Sequence, residues 1–279
     1  MKKLLFSVLA FTALAGGINA QVPMPAASPT QSIRQDFGMG KIELVYSRPS
    51  IKGRQLLAQN SVLAPLGKPW RTGANAATKI SFSDEVMIGG KTLAAGDYTI
   101  YTIPNSKEWD VVFNKGKAYP GQDGFTESND VVRVKANVNK AAKSVETFTM
   151  QFANVMPESC ELHMMWGNAA VSVPIQTNIK DKLRTQLQAA LQGEKKPYFQ
   201  AATFFYEWDK NHEQALTNVN KAIEENKKAF WMYMLKARIQ KDMGDVAGAK
   251  ATADQVVALA KEAKNDDYVK QATDLFSKK

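Results

Sequence analysis

Cysteine is nearly absent: Cys160 is the single one in 279 residues. It cannot close a disulfide within the chain, so folding rests on packed cores even in an oxidising compartment. Histidine is almost as scarce, with only His163 and His212. No set of Cys and His has metal-ligand spacing, and neither a G-x-S-x-G elbow nor a phosphate loop occurs. A Cys160–His163 nucleophilic pair is disfavoured, because an odd spacing on one strand puts the two on opposite faces. His212 falls in an interhelical turn and reads as a solvent-exposed cap. Long apolar runs are missing after residue 20, so nothing later approaches the roughly 18 residues of a membrane helix. No cofactor is implied.

The first 20 residues carry Lys2 and Lys3, an apolar run from Leu4 to Leu14, and the triplet Ile18-Asn19-Ala20. That is the layout of a secretory signal peptide, and the run is too short to span a bilayer. The expectation is cleavage after Ala20 and export to the periplasm or the cell exterior. Residues 21–29 hold three prolines and no charge, a flexible lead-in. Net charge is +9, unevenly placed: residues 21–83 hold eight basic and two acidic residues, net +6. Nucleic acid is a poor partner for an exported chain; solvation or an anionic envelope ligand explains the excess better.

From 30 to 178 the hydrophobic period is two. Ile42, Leu44 and Tyr46 share a face, as do Trp109, Val111 and Phe113. The same holds for Phe148, Met150 and Phe152, for Leu162, Met164 and Trp166, and for Val171, Val173 and Ile175. Such alternation marks half-buried strands. Gly89-Gly90 is a hairpin signal; Gly96-Asp97, Pro104-Asn105, Pro120-Gly121 and Gly167-Asn168 mark further turns. Pro174 places its strand at a sheet edge or near its end. About eight or nine short strands predict an antiparallel β-sandwich or small barrel.

After residue 178 the period becomes helical, with Ile179, Leu183, Leu187 and Leu191 in one stripe and Asn178 as the expected cap. Helical patterns follow at about 198–209, 213–226, 229–243, 245–263 and 266–277. Asn211 and Asp245, Ala215 and Ala249, and Ala222 and Val256 lie 34 residues apart. That is the tetratricopeptide period, and MGDVAGAKATADQVVALAKEA (243–263) resembles the second half of such a repeat. The predicted class is α+β and multidomain: a β-rich domain at 30–178 and tetratricopeptide-like helices at 179–279.

Two irregular, basic stretches, 47–60 and 64–79, are where function would concentrate on a rigid scaffold. They and the strand end before them supply the candidate ligand-binding residues Tyr46, Arg48, Arg54, Trp70, Arg71 and Asn75. Arginine forks suit carboxylate or phosphate, and indole suits a sugar face or a stacked guanidinium. The competing assignment makes Trp70 a core plug and the arginines staples between loops.

The segments YSRPSIKGR (46–54), LGKPWRTGANAATKISFS (66–83), IGGKTLAAGDYTIYTIP (88–104), WDVVFNK (109–115), DVVRVK (130–135) and VSVPI (171–175) occur in this order. They resemble family 2911 of the domains of unknown function, exported proteins common in Bacteroidetes. The resemblance implies an envelope location and a β-rich domain, with no established activity, substrate or cofactor. The leading expectation is a non-catalytic binding or scaffold protein. Its β domain would take an anionic or glycan-like ligand, and its helices a protein partner. The alternatives are an enzyme on envelope polymers, perhaps a hydrolase, and a structural assembly factor with no small ligand.

Overall fold

A computed structural model describes residues 24–116 and 125–277. The expected signal peptide and the Pro120-Gly121 turn lie outside these residues.

Among the described residues, ten strands form two antiparallel sheets that do not close into a barrel. The larger contains β1 (Thr30–Phe37), β2 (Gly40–Ser47), β3 (Thr78–Phe82), β6 (Gly96–Pro104), β7 (Glu108–Asn114) and β8 (Asp130–Asn137), in the order β1-β2-β3-β6-β7-β8. The smaller contains β4 (Val86–Ile88), β5 (Lys91–Leu93), β9 (Asn139–Ala153) and β10 (Ser159–Gln176), in the order β5-β4-β10-β9. Of the two architectures open from the sequence, the sandwich is the one formed. The alternating apolar residues become its core: Ile42, Leu44, Ile80, Trp109, Val111, Phe113, Phe148, Leu162 and Trp166 are all buried. Gly89 and Gly90 close the β4–β5 hairpin at φ 58° and 74°, a left-handed pair that glycine adopts without steric cost.

β10 doubles back on itself. Fully extended, its 18 residues would reach about 60 Å. Yet Thr177 N–H donates to Glu158 O at 3.0 Å, just outside its two ends. The reversal sits at Gly167 (φ 56°) and Asn168, the turn expected from the sequence. Pro174 is exposed two residues before the end of this strand, which lies inside the sheet and not at its edge. On the other side β9 slips register between Val145 and Lys140, a bulge in which β9 advances five residues against two of β10.

A further stitch joins the two sheets. Beyond β2 the chain crosses to β9: Phe148 N–H donates to Pro49 O at 2.8 Å and Ile51 N–H to Glu146 O at 3.0 Å.

Six helices follow among the described residues: α1 (Lys180–Ala190), α2 (Tyr198–Glu207), α3 (His212–Glu225), α4 (Phe230–Asp242), α5 (Val246–Glu262) and α6 (Asp266–Asp274). The 34-residue offset has a structural counterpart. Asn211 and Asp245 each cap a helix through their side chains, accepting from Gln214 N–H at 3.1 Å and Gly248 N–H at 2.9 Å. Ala215 and Ala249 are both fully buried, which lets the paired helices approach closely. Asn178 does not cap α1. Its place is taken by Glu158, whose carboxylate accepts from Ile179 N–H at 2.9 Å and Lys180 N–H at 3.2 Å. The helix starts one residue later than Asn178 would cap, with Ile179 at the cap position, and the Glu158 charge meets the helix dipole there. No helix among the described residues is long and apolar enough to cross a membrane.

Candidate functional site

Of the six residues singled out in the sequence, five are engaged within the chain. Tyr46 faces the core. Its hydroxyl accepts from Met150 N–H at 2.8 Å and donates to Gln31 Oε1 at 2.7 Å, and burial raises its pKa above the ordinary 10. Arg48 spans the sheets, donating to Phe148 O at 3.2 Å and Thr149 Oγ1 at 2.8 Å. Arg54 turns back on its own loop, onto Ile51 O at 3.0 Å and Ser50 O at 2.5 Å. Asn75 donates to Ser28 O at 3.3 Å and Ser47 Oγ at 3.2 Å. Trp70 is buried, stacked on Trp166 with centroids 5.4 Å apart and edge-on to Phe148 at 5.0 Å. Its indole N–H donates to Gly73 O at 3.1 Å. Arg71 differs: it is half-buried, and its Nε is buried without a hydrogen-bond partner among the described residues.

These six do not surround one cavity. The sandwich has its groove elsewhere, at the end where the β10 turn, the bulged part of β9 and the loop after Ile51 meet. It encloses about 570 Å³, within the range of small-ligand sites. Ile51, Leu56, Leu57, Leu66 and Val138 wall it, all half-buried, and Trp166 lies beneath. Its polar rim is Asn105, Ser106, Asn139, Ser144 and Asn168, with Lys140 the one charged lining residue. The rim is exposed, and no side-chain hydrogen bond occupies these amides and hydroxyls among the described residues. Leu57 holds a left-handed backbone at φ 53°, a conformation that costs a leucine energy and places its side chain on this wall. Ile51, Leu56, Leu57 and Leu66 of the groove fall in the two irregular stretches, whereas none of the six singled-out residues lines it. Polarity drew attention to arginines, whereas the groove is built from apolar residues between them and amide residues of distant turns.

One polar cluster emerges only through the β10 hairpin. The Glu161 carboxylate accepts from Ser172 Oγ at 2.6 Å and Asn154 Nδ2 at 2.9 Å, and bonds His163 Nε2 at 2.7 Å. Ser172 first, then His163 and Asn154, hold Glu161 down to about 2. A nucleophilic triad needs its base between hydroxyl and acid. Here the carboxylate occupies the middle, so the arrangement fixes the strand pair and does not activate Ser172. The Gly167-Asn168 turn already implies this juxtaposition, since folding the sequence about it brings His163 opposite Ser172. Cys160 points to the other side, into the core, where burial lifts its thiol to about 12. That keeps it protonated and unreactive.

Residues 28–175 match the family described as "Protein of unknown function (DUF2911)". No curated protein matches the chain.

Proposed function

We propose, from the premise that the chain belongs to the DUF2911 family, that it is an exported, non-catalytic binding protein whose sandwich groove takes a neutral, hydroxyl-rich ligand, a segment of envelope glycan. One observation carries this reading: an apolar trough of about 570 Å³ with, among the described residues, amides and hydroxyls unbonded along its rim and no carboxylate lining it. Asn side chains donate and accept at once, which matches the alternating demands of sugar hydroxyls. The half-buried leucines match the C–H faces of the rings. A single cation, Lys140, makes the groove a poor trap for a polyanion. Export rests on the residues 1–20 pattern. The 34-residue offset supports tetratricopeptide-like hairpins that would hold a protein partner.

The test is thermal stability against a panel of neutral oligosaccharides, acidic glycans and short peptides, with Ser144→Trp alongside. Ser144 is exposed, so the variant should fold normally while filling the groove. A ligand at 100 times its dissociation constant stabilises by about 2.7 kcal/mol. The expected result is a rise in melting temperature with neutral oligosaccharides, lost in Ser144→Trp. A response to none of them, or one that Ser144→Trp leaves intact, sinks the reading.

A further inference from the structure

The outer face of the larger sheet carries a feature that the groove does not explain. Trp70 and Thr102 exchange both backbone hydrogen bonds, at 2.7 and 2.9 Å, as an antiparallel bridge. The neighbouring pair in that register is Arg71 opposite Tyr101. Trp70 faces inward, so Arg71 and Tyr101 share the outward face. Tyr101 is fully buried there, among Ala77, Val112 and Phe125, with its ring 5.0 Å from that of Phe125. Yet among the described residues its hydroxyl has no hydrogen-bond partner, and neither has Arg71 Nε, although both atoms are buried.

Two such donors at adjacent positions are unusual. Buried polar groups are nearly always satisfied, and each unsatisfied one costs on the order of 1–3 kcal/mol. Burial also raises the Tyr101 pKa above the ordinary 10, so the group stays protonated and remains a donor. The other charged side chain in this cross-strand row is already engaged. Arg133, beyond Val112, reaches Asp130 at 2.7 Å, Glu127 at 3.3 Å and Asp110 at 3.6 Å. None of these carboxylates pairs with Arg71. Among the described residues the pair lacks an acceptor, and half-exposed Arg71 offers an approach from solvent.

We propose that Arg71 and Tyr101 are the donor pair of a second binding site, on the outer face of the six-stranded sheet, for the oxygens of a carboxylate or phosphate group. A guanidinium edge and a phenol hydroxyl would each give one hydrogen bond to such a group, with the arginine supplying the charge. The site is independent of the glycan groove: Trp70, one residue before Arg71, faces the core, and neither Arg71 nor Tyr101 lines the groove.

The experiment compares melting of the chain in chloride, inorganic phosphate, acetate and glucuronate at constant ionic strength. Wild type, Arg71→Gln and Tyr101→Phe are run together. Wild type should show a saturable rise with phosphate or with the carboxylates, and which of them works identifies the source of the group. Each variant should weaken the response roughly tenfold or more. Tyr101→Phe should also melt at or above the wild-type temperature in chloride, because it removes an unsatisfied hydroxyl without making a cavity. The proposal is overturned if no anion gives a saturable rise. It is equally overturned if both variants respond as wild type does, or if Tyr101→Phe melts lower in chloride. That last result would mean the hydroxyl already holds an ordered water.

Discussion

The carboxylate of Glu158, at the start of the β10 hairpin, closes the first turn of α1 by accepting from Ile179 N–H at 2.9 Å. It accepts from Lys180 N–H as well, at 3.2 Å. The cap of the first helix is thus lent by the sandwich, 21 residues away in sequence. Glu158→Ala should cost about 1 kcal/mol. A urea titration followed by helical circular dichroism checks this. An unchanged midpoint would show that α1 is held by its apolar stripe alone.

Trp70 lies in the family-like segment that first suggested ligand contact, but its ring packs on Trp166, Phe148 and Trp109. Trp70→Ala should destabilise by about 3–5 kcal/mol through the cavity it leaves. Calorimetric melting would reveal it. Near-wild-type stability would mean that the sandwich core tolerates losing its central ring.

Tyr46→Phe keeps the ring and removes the hydroxyl that accepts from Met150 N–H across the two sheets. That leaves a buried N–H unpaired, at a cost of roughly 1–3 kcal/mol. Hydrogen exchange at Met150 should accelerate along with the loss of stability; unaltered protection there would place the N–H on another acceptor.

Glu161 sets an acid limit. Its folded pKa, about 2, lies below the ordinary value of 4.5, so its bonds contribute fully above about 4.5. That contribution is lost as pH falls toward about 2. In Glu161→Gln, stability should therefore fall less steeply over this interval than in wild type. Urea midpoints measured across the range decide it, and parallel curves would rule out Glu161 as the source.

The fold was legible wherever one rule governed a whole element. Period two located the buried faces of β2, β7 and β10, and the Gly89-Gly90 and Gly167-Asn168 signals located two turns. The helical stripe and the 34-residue offset placed α1 to α6 within a few residues. Contacts between distant segments were not legible. Nothing local marks Glu158 as a helix cap, or Arg48 as a bond to the strand holding Thr149, because those partners are chosen by how the sheets pack. The groove escaped notice for a related reason. Its walls are ordinary leucines and asparagines, whose significance comes from being left half-covered at one end of the sandwich.

The stitch that ties the end of β2 and the segment after it to the second half of β9 also has a kinetic side. Tyr46 and Met150 are 104 residues apart, and Arg48 and Thr149 are 101 apart. Contacts this remote pay a large loop-closure entropy before they return any stability, and topologies rich in them fold slowly. The helical hairpins need only neighbours a few turns away and can form as soon as they are made. The sandwich must wait until its later strands arrive to meet its second, and until then β2 offers its apolar face to any other chain nearby.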